Sequence, residues 1–188
     1  MNHLNAGFAV FKRHPIEWTI LGLLFGVLQT IGIGIIFFGN LIRIARMSGE
    51  TGTGPDISAL FSFDHVADDI LTVLFIAIAG FAGLLACGLG AIVAGWLTIW
   101  TIHLNADGLF TPIDCLKASF HHAKSNLIEI ALTLFTIAIV VVIASILTCG
   151  LGLLVATPIT ILSIERFYAS KRSEILATAS SAGILRKA

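Results

Sequence analysis

The chain has 188 residues, of which 57% are hydrophobic and only 12% are charged. A soluble domain is usually about 25% charged, and a soluble fold of this length could not cover so much apolar surface, so the composition favours a membrane protein. The formal net charge is zero. Bulk charge therefore implies no acidic or basic partner, and we expect no nucleic acid to bind.

Three stretches of the chain carry no Asp, Glu, Lys or Arg: residues 18–42, 70–106 and 130–164. About 20 apolar residues form a helix that crosses the roughly 30 Å hydrocarbon core of a bilayer. The second and third stretches are too long for one crossing, so each is predicted to be a hairpin of two helices. The first stretch is followed by arginines rather than by a cleavage site, so we do not interpret it as a signal peptide.

Each hairpin is predicted to turn at a pair of glycines, because glycine adopts the positive φ angles that tight turns need. The pairs fall within residues 87–90 and 149–152 of the second and third stretches. The first stretch is ambiguous, since it could be one tilted helix or a hairpin that turns within residues 31–34. The alignment of the three glycine pairs favours the hairpin, and with it six spans rather than five.

The sequence is interpreted as one integral membrane domain over residues 1–188. It contains three repeats, at approximately 1–48, 55–106 and 112–170, and a polar cytoplasmic tail at 171–188. The predicted fold class is all-α: a polytopic bundle of six spans arranged as three hairpins, each preceded by a short interfacial amphipathic helix. The apolar residues that predict these three helices share one helical face by their spacing. They are Leu4, Gly7, Phe8 and Phe11; Ala59, Leu60, Phe63 and Val66; and Ile113, Leu116, Phe120 and Ala123.

With six spans, all eleven lysines and arginines fall on one side, and the three glycine turns on the other side carry no charge. The positive-inside rule then predicts a multi-pass protein of a bacterial cytoplasmic membrane with both termini in the cytoplasm. The residues are Lys12, Arg13, Arg43, Arg46, Lys117, Lys124, Arg166, Lys171, Arg172, Arg186 and Lys187.

Several segments resemble a group of bacterial integral membrane proteins of unknown function. Residues 6–15 (AGFAVFKRHP) resemble the opening of the YciC-like and related proteins, and 55–63 and 116–120 resemble their interfacial segments. Residues 150–158 resemble their last hairpin, and the chain is also similar to the membrane domain fused to some glycerophosphodiester phosphodiesterases. The resemblance implies six helices and a bacterial inner membrane, but it implies no activity and no catalytic residues.

Five charged residues are candidates for contact with ions or lipid headgroups at the membrane interface. Glu17, Asp69 and Glu129 each begin a predicted span. Acids are favoured at helix N-termini, which is one explanation, and a cation-binding acidic ring is the alternative. Glu165 and Arg166 are predicted to end the last span and to pair with Glu129 or Lys124.

No catalytic, metal-binding or cofactor-binding residue is predicted. Adjacent residues such as His121 and His122 do not share a helical face, so they form a poor metal pair. Cys87 and Cys149 lie in equivalent outer turns. They are interpreted either as small residues in tight turns or as a disulfide. Cys115 is predicted to be a free thiol.

The first functional hypothesis is a non-enzymatic membrane protein that acts in envelope or lipid homeostasis or as an accessory subunit. Its partners would be membrane lipids, a larger membrane complex or further copies of itself. The alternative is a small transporter or channel for a hydrophobic or neutral solute. The polar residues expected to line its pathway are Gln29, Thr30, Asn40, Thr98 and Thr101.

Overall fold

The structure is a computed structural model that describes residues 2–87, 90–147 and 152–184. Within these ranges the regular secondary structure is helical and contains no strand, which confirms the all-α part of the predicted fold class. The helices are α1 (Asn2–Arg13), α2 (Pro15–Thr30), α3 (Phe38–Thr51), α4 (Val66–Cys87), α5 (Gly90–Leu97), α6 (Thr101–Ala106), α7 (Pro112–Ser125), α8 (Leu127–Leu147) and α9 (Gly152–Ser181). Two short 3₁₀ helices lie at Gly34–Phe37 and Ser58–Phe61.

The first apolar stretch is broken where the glycines predicted a turn. Helix α2 ends at Thr30, and Gly32 has a φ of 81°. A residue with a side chain would be strained in this left-handed conformation, so glycine is the residue that suits the turn. The reading of this stretch as one helix is therefore wrong.

Helix α3, which follows this turn, is amphipathic rather than apolar throughout. Its buried face includes Leu41, Ile44 and Ala45, while the same helix carries Arg43 and Arg46. The four residues after the turn form the 3₁₀ helix, so only residues 38–42 of α3 precede Arg43. Consequently α3 does not by itself have the composition of a membrane span.

The amphipathic helix predicted before α4, carrying Ala59 to Val66, is absent. One 3₁₀ turn at Ser58–Phe61 replaces it, and Asp56 begins this turn by accepting hydrogen bonds from the N–H and the hydroxyl of Ser58. The buried Asn40 amide donates to the carbonyls of Leu60 and Ser62, at 3.0 and 2.7 Å. These carbonyls are engaged by a distant side chain instead of by a following helical turn, which explains why the prediction was wrong.

Helix α4 alone, among the residues that the structure describes, is long and apolar enough to cross a membrane. The apolar span is Val66–Leu85, with a mean hydropathy of 2.0, and only 11% of its most apolar stretch is buried. Helices α7 and α8 together are also long and apolar enough, but the pair is bent by 94°. Shorter apolar helices cover Pro15–Thr30 and Ile92–Ala106.

Close packing through small residues is visible between α4 and α5. A Cβ added at Gly90 would overlap the carbonyl oxygen of Gly83. The two backbones therefore approach more closely than any larger residue at position 90 would allow, as glycine-mediated packing of membrane helices requires.

Helix α7 begins with residues that favour a helix N-terminus. Thr111 caps it by accepting from the Asp114 N–H, and Pro112 takes the first helical position. Two of its large apolar side chains are exposed rather than buried. Ile113 and Phe120, from the predicted apolar face, are 47% and 44% exposed. The buried face consists of small or polar residues: Cys115, Ala118, Ser119, His122 and Ala123.

The chain divides into two compact units. Unit 1 comprises residues 1–64 and 133–169, and unit 2 comprises 65–132 and 170–188. In unit 1, α1 lies against α9 at a point where a Cβ on Gly7 would be 2.6 Å from the Ser163 nitrogen. In unit 2, α9 continues to Ser181, so most of the predicted polar tail is helical.

Candidate functional site

Glu17 and Glu165 of unit 1 each have a basic partner. The Glu17 carboxylate lies 3.7 Å from Nδ1 of His14 on the surface. The Glu165 side chain is only 2% exposed and accepts a 2.8 Å hydrogen bond from Nε of Arg46. The Arg46 guanidinium also lies over the ring of Tyr168. This ion pair joins α3 to α9, and the predicted pairing of Glu165 with Lys124 stays a prediction.

Arg166 lies against α3. A Cβ on Gly49 would overlap its Nη2, so the guanidinium occupies the space that a side chain at position 49 would need. This Nη2 is buried and has no hydrogen-bond partner among the described residues. The predicted pairing of Arg166 with Glu129 likewise stays a prediction.

Asp69 of unit 2 is buried in the first turn of α4. It is 1% exposed and accepts a 2.7 Å hydrogen bond from the side-chain amide of Asn105. A buried carboxylate is costly unless hydrogen bonds compensate it, so this contact stabilises the packing of α4 against α6. It gives Asp69 a structural role whether or not it also contacts an ion.

Glu129 belongs to a polar cluster where α7 meets α8. It accepts a 2.8 Å hydrogen bond from Nζ of Lys171, which also contacts Glu174 at 3.3 Å. The bond to Glu129 raises the pKa of Lys171. Glu174 in turn accepts from the Asn126 amide at 3.3 Å. The cluster ties the last helical segment of unit 2 to the sharp bend between α7 and α8.

The buried side chain beside this cluster is His122. It is 1% exposed, and neither ring nitrogen has a hydrogen-bond partner within the described part of the chain. Burial lowers the pKa of His122, because the charged form would lose its hydration. In the described ranges, no three His, Cys, Asp or Glu side chains gather in a way that would hold a metal ion.

Two cavities adjoin on the outer face of α7 and share the side chains of Lys117 and His121. The larger, about 680 Å³, is mainly polar, and it is also lined by Asp114, whose carboxylate lies 3.6 Å from the Lys117 ammonium. The smaller, about 340 Å³, is almost entirely apolar and is also lined by Ala79, Ala94, Leu97, Thr98, Leu116 and Phe120. An apolar groove that opens beside a polar cavity offers space for both parts of an amphiphile.

The cysteines differ in what the structure describes. Cys115 is buried and free, as predicted, and burial raises its pKa to about 12, so it is inert as a nucleophile. The alternative of a disulfide involves Cys149 and the side chain of Cys87, which lie outside the described residues.

The sequence did not indicate Lys117 and His121 as site residues. It also did not indicate which side chains surround Gly49–Gly54, a segment with the composition of a flexible linker. Spacing was the available signal for the first pair, since residues four apart share a helical face. For the second, Gly52 has a φ of 74° and ends α3 by donating its N–H to the Ser48 carbonyl. This segment is thus an ordered helix end rather than a linker.

The chain matches no family model, no curated protein sequence and no solved structure. The resemblance to the YciC-like proteins therefore stays a prediction, and the interpretation of the site rests on its own geometry.

Proposed function

We propose that the chain is a polytopic integral membrane protein without enzymatic activity that binds membrane lipid at its cytoplasmic interface. The observation that carries this proposal is the exposure of apolar residues along α4 and α7. A core helix of a soluble protein would be mostly buried, whereas the α4 window is 11% buried. Monomeric soluble proteins rarely expose apolar patches of more than a few hundred Å².

The exposed apolar side chains of α7 support a position in the membrane interface. Ile113 and Phe120 point outward, where acyl chains would solvate them, while the Ser119 hydroxyl bonds inward, to the backbone of the α5–α6 break. An interfacial helix typically buries its apolar face about 5–10 Å into the membrane boundary.

The two cavities on α7 suggest how a lipid would be held. The apolar groove accommodates part of an acyl chain, and Lys117 and His121 at its edge would face the headgroup. Membrane lipids are therefore the proposed partners, and the role that fits is envelope or lipid homeostasis. An accessory subunit of a larger complex or a homo-oligomer would use the same exposed surfaces against protein.

Six membrane-entering helices in three hairpins, with both termini in the cytoplasm of a bacterium, complete the proposal. Helix α2 of the first hairpin is short for a membrane crossing: at about 1.5 Å per residue, its 16 residues extend about 24 Å. A cysteine at Ile31 labelled from outside intact cells would support the crossing of this hairpin. Labelling of a cysteine at Asn2 from outside would refute the orientation.

Nitroxide scanning of α7 tests the interfacial position. Spin labels are placed at Ile113 and Phe120, at Asp114 and at Ala118 in lipid nanodiscs. We expect labels at the apolar positions to be accessible to oxygen, the label at Asp114 to a water-soluble nickel complex, and the buried Ala118 position to neither. Equal nickel access at Phe120 and Asp114 would refute the proposal.

The transporter alternative receives no specific support from the residues expected to line its pathway. The Asn40 amide is bonded to loop carbonyls, and the Thr30 hydroxyl donates to the Gly26 carbonyl of its own helix. Thr98 lines the apolar groove, but its hydroxyl also donates to its own helix, at Ala94. These side chains satisfy backbone groups of their own units.

A further inference from the structure

The segment Gly49–Gly54, here called the glycine loop, is contacted by three basic side chains from two other helices and a helix junction. Arg166 of α9 lies on Gly49. Nη1 of Arg13, the last residue of α1, would be 2.7 Å from a Cβ on Gly52. Nδ1 of His14 would be 3.2 Å from a Cβ on Gly54. Each group approaches the backbone at a position where the chain has no side chain.

The two arginines lie close together. Gly49 and Gly52 are one helical turn apart, about 5–6 Å between Cβ positions, so the two guanidinium groups lie within roughly 10 Å of each other. A phosphate that bridges the two groups, with N–O distances of about 2.8 Å on either side, fits within this limit.

The positive charge of these arginines is not neutralised by the carboxylates around them. Nη2 of Arg166 is buried and has no hydrogen-bond partner among the described residues. Glu165 is bound to Arg46, and Glu17 lies beside His14. Glu50 of the loop is exposed and adds one negative charge.

The carboxyl end of α3 also lies at the glycine loop. A helix C-terminus is equivalent to about half a negative charge, which explains part of the attraction for arginine. It offsets less than one of the two guanidinium charges. Arg166 as a whole is only partly buried, so its other N–H groups remain the ones that would donate to an anion.

We propose that Arg13 and Arg166 bind a phosphate group over the glycine loop, with His14 at the edge of the site. Planar guanidinium groups match the oxygens of a phosphate, and glycines let the anion approach the backbone. This site is separate from the cavities of α7 and goes beyond the proposed function. The phosphate belongs either to a lipid headgroup or to a soluble compound, and only the lipid source depends on the membrane proposal.

The test measures binding of three probes to the full chain in detergent by microscale thermophoresis. Dihexanoyl phosphatidic acid carries both phosphate and acyl chains, inorganic phosphate has no chains, and dihexanoylglycerol has no phosphate. We expect the first or second probe to bind and the third not to bind. Binding of phosphatidic acid alone assigns a lipid headgroup, and binding of inorganic phosphate assigns a soluble source.

The variants are Arg13→Gln, Arg166→Gln and Lys12→Gln. Loss of a charge-assisted hydrogen bond lowers affinity about tenfold or more, and this is expected for each arginine variant. Lys12 is the matched control, since it is exposed, adjacent to Arg13 and placed over the ring of Phe8 rather than the loop. Its variant should bind within about twofold of the wild type.

Three outcomes would overturn the proposal: no phosphate-bearing probe binds, dihexanoylglycerol binds as tightly, or Lys12→Gln weakens binding as much as Arg13→Gln. Arg13 is exposed, so its variant keeps the test decisive if Arg166→Gln does not fold. All three measurements use solubilised protein. Their failure would therefore leave the spin-label and topology results of the membrane proposal unaffected.

Discussion

Removal of the Ser119 hydroxyl tests how α7 is fixed to the rest of unit 2. The α-helical hydrogen bonding is interrupted between α5 and α6, and one side chain bonds to a backbone group on each side of this break. Ser119 Oγ accepts from the Trp100 N–H at 3.1 Å and donates to the Leu97 carbonyl at 2.8 Å. Ser119 and Trp100 are both 0% exposed, so water does not compete for these bonds.

Ser119→Ala should therefore cost about 2 kcal/mol, since a buried donor that loses its acceptor costs about 1–3 kcal/mol. For a protein of this size, that corresponds to a fall in Tm of roughly 4–8 °C. The buried Cys115 thiol supplies the assay, because a maleimide dye labels it only on unfolding. The experiment uses a background in which the other two cysteines are serine.

Thr178→Ala is the matched control for this measurement. Thr178 is a half-buried residue of unit 2 whose hydroxyl makes a solvent-exposed bond to the Glu174 carbonyl of its own helix. We expect its Tm to change by less than about 1 °C, as for most surface substitutions. Equal shifts for the two variants would show that Ser119 does not stabilise the α5–α6 break.

Three further predictions concern packing and titration. Gly90→Ala should destabilise the protein by about 1–3 kcal/mol, because its Cβ would overlap the Gly83 carbonyl. Gly80→Ala is the control and should be neutral or stabilising, since a Cβ there meets nothing within 4 Å. Equal Tm values for the two variants would contradict this prediction. Because burial lowers the pKa of His122 from 6.5, the unfolded state binds the proton more readily; stability should be full above about pH 6.5 and fall below it, and His122→Phe should reduce that slope in Tm measured from pH 7.5 to 5.5. Cys115, whose pKa is raised to about 12, should resist a thiol reagent at pH 8 in the folded protein, and rapid labelling there would contradict its burial.

Local signals in the sequence predicted some elements correctly, and contacts between distant residues explain the failures. The turn at Gly32 and the start of α7 at Thr111 follow from the conformational preferences of neighbouring residues. The helix expected over 59–66 had a suitable apolar spacing, but Asn40 engages its carbonyls from about 20 residues away. The spacing of apolar residues along the sequence does not show that a distant side chain competes for these carbonyls.

The candidate sites divide in the same way. Lys117 and His121 are four residues apart on one helix, so their shared cavity follows from helical geometry once α7 is assigned. Arg166 and Gly49 are separated by more than 100 positions, and only the packing of α9 on α3 brings them together. The composition of the glycine loop suggested flexibility because glycine is permissive in isolation, whereas here its lack of a side chain accommodates arginine.

The exposed apolar side chains of α7 link the fold to the proposed function. A helix in water gains stability by burying its apolar face, yet here the exposed positions include Ile113 and Phe120 and the buried ones include Ser119 and His122. In water this arrangement forfeits about 1.5–3 kcal/mol for each large apolar side chain left exposed, whereas contact with acyl chains removes that cost. The same surroundings would strengthen the inward hydrogen bonds of Ser119, because little water competes with them. Replacing Phe120 by Ser should therefore weaken attachment to bilayers and leave the detergent-solubilised fold intact, whereas Ser119→Ala should weaken the fold in both.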